Sequence, residues 1–61
     1  MNNMFSDYPD VVNIHQLMEM LQVGRTTAYK LIADGTIKSF RLRKNYKIPK
    51  SNIINYIMEE A

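Results

Sequence analysis

The 61-residue chain contains no cysteine and no tryptophan, and only one histidine, two glycines and two prolines. Without cysteine there is no disulfide, and a single histidine cannot build the structural metal sites that hold many small domains together. A chain of this length buries only roughly 60% of the surface its unfolded form exposes. Its stability must therefore come from the packing of Ile, Leu, Val, Met and aromatic side chains. The parts needed for catalysis are also missing. There is no cysteine nucleophile, no glycine-rich phosphate loop and no pair of carboxylates on a folded element. His15 and Glu19 stand four residues apart, but two ligands without a third make an exposed polar pair. A non-enzyme without metal or cofactor is expected. The apolar stretches are short and broken by charge, and MNNMFSDYPD lacks the basic region and apolar run of a signal peptide. These features lead to the expectation of a cytoplasmic protein with no membrane partner.

Acidic residues are scarce in one particular place. The net charge is only +2, yet Arg25, Lys30, Lys38, Arg41, Arg43, Lys44, Lys47 and Lys50 give residues 25–50 a charge of +7 against Asp34 alone. Residues 1–24 carry −3 from Asp7, Asp10 and Glu19, and residues 51–61 carry −2 from Glu59 and Glu60. All the cations thus lie in one segment. Such segregation favours a polyanionic partner, nucleic acid before a membrane surface.

Residues 1–10 read as a flexible lead-in rich in turn formers, and residues 11–61 as one domain. Val11-Val12 suits a short extended stretch. Asn13 and Gln16 have the spacing of a capping box. Ile14, Leu17, Met18 and Leu21 then follow helical spacing, giving a helix over 14–21. After Gln22-Val23-Gly24 a second helix is expected from Arg25 to Asp34, with Gly35 in the left-handed position beyond it. Ala28, Leu31 and Ile32 form its inner side, with Tyr29 at the border and Thr26, Thr27 and Lys30 outside.

Residues 37–43 and 46–48 alternate as a β-hairpin, with Lys44-Asn45 as the expected turn. In this reading Phe40, Leu42, Tyr46 and Ile48 face the helices, while Arg41, Arg43 and Lys47 point away. Pro49 ends the second strand. A third helix follows from about Lys50-Ser51, with Ile53, Ile54, Ile57 and Met58 as its buried stripe. The expected fold is mainly α with a small antiparallel hairpin: a winged helix-turn-helix.

From residue 12 to residue 57 the sequence VNIHQLMEMLQVGRTTAYKLIADGTIKSFRLRKNYKIPKSNIINYI resembles the excisionase-type DNA-binding domains related to the MerR winged-helix group. The ordered set of Val23, Tyr29, Ile32, Gly35, Ile48 and Pro49 carries the likeness, which covers about three quarters of the chain. That family usually has glycine where Gln22 stands, a small residue in place of Met18, and often serine in place of Gly24. The resemblance implies binding of double-stranded DNA near an attachment region, bending of that DNA, and assistance to an integrase in excision from a phage or integrative element. A monomer in solution that assembles cooperatively on DNA is the expected state. Arg25, Thr26, Thr27, Tyr29 and Lys30 are the expected recognition-helix surface, and Arg41, Arg43, Lys44, Asn45 and Lys47 the expected wing contacts. Tyr29 is equally suited to packing at the core edge. A small transcriptional regulator using the same module is the nearest alternative. A protein-interaction or antitoxin-like module is an alternative of another class.

Overall fold

Three helices and three short strands make up most of residues 5–60, the part of the chain that the computed structural model describes. In chain order they are β1 (Val11–Val12), α1 (Ile14–Leu21), α2 (Arg25–Ala33), β2 (Phe40–Leu42), β3 (Asn45–Pro49) and α3 (Lys50–Glu60). The expected winged helix-turn-helix is present, and Val11-Val12 turns the hairpin into a three-stranded antiparallel sheet of order β1-β3-β2. Val12 pairs with Ile48, and both are fully buried. With Leu17, Met20, Ala28, Ile37 and Ile53 they form the core, to which every helix contributes.

Helix α1 begins as its sequence requires. The Asn13 side-chain oxygen accepts from the Gln16 amide at 2.8 Å, and the Gln16 side chain accepts from the Asn13 amide at 3.0 Å. These reciprocal bonds satisfy two helix-end donors. The helix stops because Gln22 is left-handed, at φ 56° and ψ 47°. The Gln22 amide then reaches the Glu19 carbonyl at 3.3 Å and the Val23 amide reaches that of Met18 at 3.1 Å. This Schellman arrangement is normally closed by glycine, which explains the residue the family prefers there. A side chain in this conformation costs about 1–2 kcal/mol. Replacing Gln22 by glycine is therefore expected to raise stability by up to about 1 kcal/mol, after the extra backbone entropy glycine loses. Thermal unfolding would show this as a gain of roughly 4–8 °C per kcal/mol.

At the far end of α2, Gly35 has φ +81° and Asp34 organises the exit. The Asp34 carboxylate accepts from the Thr36 hydroxyl at 2.6 Å and the Thr36 amide at 2.9 Å. These bonds, the hydroxyl first, hold the Asp34 carboxyl below its usual pKa. The turn delivers Ile37 into the core. A Cβ on Gly35 would meet nothing within 4 Å, so the cost of alanine lies in the backbone alone. Gly35→Ala is expected to destabilise the domain by about 1–2 kcal/mol, a loss that chemical denaturation measures directly.

The structure corrects the reading of the hairpin. The turn is Arg43-Lys44, one residue earlier than expected, and Arg43 is left-handed at φ 60°. Cross-strand partners are Leu42 with Asn45, Arg41 with Tyr46, and Phe40 with Lys47. Directly opposed residues share a sheet face, so Arg41 joins Tyr46 and Ile48, while Phe40 and Leu42 join Lys47 on the outer face. Phe40 and Leu42 are accordingly 52% and 57% exposed. In a two-residue hairpin an even-numbered residue always faces an odd-numbered one. Alternation cannot be carried through such a turn unchanged, and reading it straight across assigned Phe40, Leu42 and Arg41 to the wrong sides.

Two further differences concern the ends. Met58 is exposed, whereas Ile53 is buried and Ile54 and Ile57 are half-buried. Residues 5–8, part of the expected lead-in, form a turn in which Phe5 and Tyr8 meet edge to face at 5.9 Å. The Lys50 ammonium donates to the Tyr8 and Phe5 carbonyls at 3.0 and 3.3 Å, so this cation ties down the turn. Residues 1–4 lie outside the described part.

Candidate nucleic-acid interface

Helix α2 starts at Gly24 without a side-chain cap and buries Ala28, with Leu31 and Ile32 half-buried beside it. This one-sided burial leaves Arg25, Thr26, Thr27 and Lys30 exposed together. Within α2 itself this surface carries two cations, two hydroxyls and no carboxylate. The helix has nine residues, about 13 Å along its axis. It is held at its near end by the three-residue segment Gln22–Gly24, whose left-handed first residue reverses the chain.

Tyr29 sits at the border of this surface. Its ring meets that of Tyr46 at 5.6 Å between centroids, inclined by 66°, and the Arg41 guanidinium lies 5.4 Å from the Tyr46 centroid. The three side chains run in sequence from α2 to β3 to β2 and join the second helix to the wing. Aromatic pairs and cation–π contacts of this kind stabilise by about 0.5–1.5 and 0.5–1 kcal/mol when exposed. Tyr29 thus packs as a core-edge ring, one of the two roles the sequence left open. Arg41 is exposed, yet its guanidinium is placed by an aromatic face rather than left free in solvent.

Lys44 and Asn45, at the tip of the wing, line an open cleft with Tyr29 and Tyr46. The opposite wall is the start of α1, contributed by Asn13 and His15. Arg43 is exposed in the turn itself. Lys47 is not part of this group: it lies on the outer sheet face opposite Phe40 and is half-buried. The expected site residues therefore fall into an exposed helix surface, a wing whose tip borders a cleft against the start of α1, and one outlying lysine.

His15 and Asn13 are not among the contacts expected from the sequence. Helical spacing put His15 on the outer side of α1, as found, but no local signal indicates that the wing tip comes to rest beside it. Glu19, one turn further along, accepts from the Tyr8 hydroxyl at 3.2 Å. Burial and then this bond push the Tyr8 phenol above its ordinary pKa. Among the described residues no three His, Cys, Asp or Glu side chains come together as metal ligands. No helix among them is long and apolar enough to cross a membrane.

An uncapped, basic second helix set by a tight turn, with a two-stranded wing beside it, defines a small winged helix-turn-helix domain. The family model for a helix-turn-helix domain matches residues 11–61, and the chain belongs to that family of DNA-binding modules. Comparison with curated proteins and with solved structures found no match.

Proposed function

We propose that this protein binds double-stranded DNA sequence-selectively as an excisionase-like recombination directionality factor, bending its site and assisting an integrase in excision. The observation that carries the DNA-binding part is the joint exposure of Arg25, Thr26, Thr27 and Lys30 beside a wing bearing Arg41, Arg43 and Lys44. An α-helix of this width enters a major groove about 12 Å across. Arg25 at the helix start suits guanine or a phosphate, and the threonine methyls suit thymine. The wing arginines suit phosphates or an adjacent A·T-rich minor groove, which attracts arginine. The directionality role is supported by the resemblance over residues 12–57. A single recognition helix with one wing also makes a small interface, whose modest specificity suits cooperative use at clustered sites.

Random-site selection followed by gel-shift tests the first part. Thr26→Ala or Thr27→Ala is expected to change the preferred base at one position by about tenfold, with binding to unrelated duplex nearly unchanged. If both variants select the parent's site with the parent's affinities, α2 does not read bases through these residues. The directionality role is tested by adding the protein to an integrase acting on attachment-site DNA. Stimulated excision supports the role, whereas occupancy of a promoter without any effect on excision supports a small transcriptional regulator.

A further inference from the structure

The cleft between the wing tip and the start of α1 combines a cation with several hydrogen-bond donors. Its volume is about 160 Å³, enough for several waters or one phosphodiester group. Asn13, Ile14 and His15 line it at the start of α1, Tyr29 from α2, and Lys44, Asn45 and Tyr46 from the wing. Lys44 brings a full positive charge, while His15, Tyr29 and Asn45 bring polar groups able to donate hydrogen bonds. No carboxylate is among the lining residues. Asn13 is committed to its capping box. The Lys44 ammonium, the His15 imidazole and the Tyr29 hydroxyl have no hydrogen-bond partner among the described residues.

Three elements thus converge on a concave space with donors and a cation but no competing anion. Its walls are also fixed. The capping box sets the start of α1, and the Tyr29–Tyr46 contact sets the wing against α2. We propose that this cleft takes one backbone phosphate of the bound duplex, with Lys44 neutralising it and the Tyr29 hydroxyl and His15 imidazole donating to it. The inference rests on the DNA-binding reading above and adds His15 to the contact surface. It also gives Tyr29 two uses, its ring holding the wing and its hydroxyl holding the phosphate. A contact of this type fixes the register of the protein on DNA without reading sequence.

The test uses the full chain and a duplex recovered by site selection, with single phosphates replaced in turn by neutral methylphosphonates. At one phosphate the replacement is expected to weaken the parent roughly 3- to 10-fold, the effect of one lost hydrogen-bonded contact. Tyr29→Phe, Lys44→Ala and His15→Ala are each expected to bind the unmodified duplex less tightly by a similar factor. They should then be nearly insensitive to the methylphosphonate at that same position. Lys44→Ala should also lower the salt slope by about one unit. Tyr29→Phe keeps the ring against Tyr46, so a purely packing role would leave DNA binding unchanged. The cleft assignment is overturned if Tyr29→Phe and Lys44→Ala remain as sensitive as the parent at every phosphate. It is also overturned if inorganic phosphate, at constant ionic strength, saturates the His15 and Lys44 resonances without competing with duplex. Duplex binding that depends on Arg41 and Arg43 but shows no such coupling rejects the cleft alone. A parent that selects no duplex rejects the proposed function as well.

Discussion

Replacing Arg41 and Arg43 together with alanine is expected to weaken duplex binding about 50-fold at 0.1 M salt, almost equally for all sequences. Each phosphate neutralised by a protein cation contributes about 0.9 to the slope of log affinity against log salt, so the double variant should lose about two units of slope. The fold should survive. Arg43 already occupies a left-handed turn position, and alanine there incurs the same kind of backbone cost without adding to it. Arg41 gives up its contact with the Tyr46 ring, about 0.5–1 kcal/mol for an exposed pair. Fluorescence anisotropy across a salt series, beside a thermal melt, separates the two effects. A folded double variant with the parent's slope would show that the wing does not grip the backbone. Uniform loss across sequences, set against the altered preference expected for Thr26 and Thr27, divides gripping from reading.

The largest effect on stability is expected for Ile48→Ala. Ile48 is fully buried, pairs with Val12 across β1 and β3, and belongs to the core shared by all three helices. Truncating a buried isoleucine to alanine costs about 2–5 kcal/mol. A domain of this size has a total stability of only roughly 3–9 kcal/mol. The variant should therefore lose a large share of its stability and melt far below the parent, whereas Ile48→Val should lose only about 0.5–1.5 kcal/mol. Circular dichroism melts of the pair decide it. A folded Ile48→Ala variant with near-parental melting would mean that the sheet is not anchored through this residue. Unlike the arginine pair, Ile48→Ala should lose DNA binding only to the extent that it unfolds.

The helices could be read from the sequence because their signals are local. Asn13 and Gln16 set the start of α1, the apolar spacing fixed its span at 14–21, and Gly35 marked the end of α2. The hairpin was legible as an element but not in its register. Its faces are set by the two-residue length of the turn, across which the alternation inverts, and the inner face is the one on which Ile48 meets Val12 and Tyr46 meets Tyr29. The turn forms at Arg43-Lys44 although asparagine is better suited to positive φ than arginine. The exposed surface of α2 was recoverable from helical spacing. The proximity of His15 to Lys44 was not, since it joins positions 29 residues apart through the packing of two other elements. Lys50 illustrates the converse: it is one of the cations of the basic segment, yet its ammonium is used by the Phe5 and Tyr8 carbonyls.

The outer face of the sheet has a consequence for solubility. Val11, Phe40 and Leu42 are all exposed there, on a small β surface whose β2 strand has an open edge. Such a surface is a template for stacking and for edge-to-edge pairing between chains. Lys47 stands among these apolar side chains, directly opposite Phe40, and Arg41 lies on the open strand between Phe40 and Leu42. Two copies meeting through this face or this edge would bring like charges together in a region losing its water. The same basic residues that suit a polyanion therefore also act as gatekeepers, making self-aggregation costly without removing the apolar side chains.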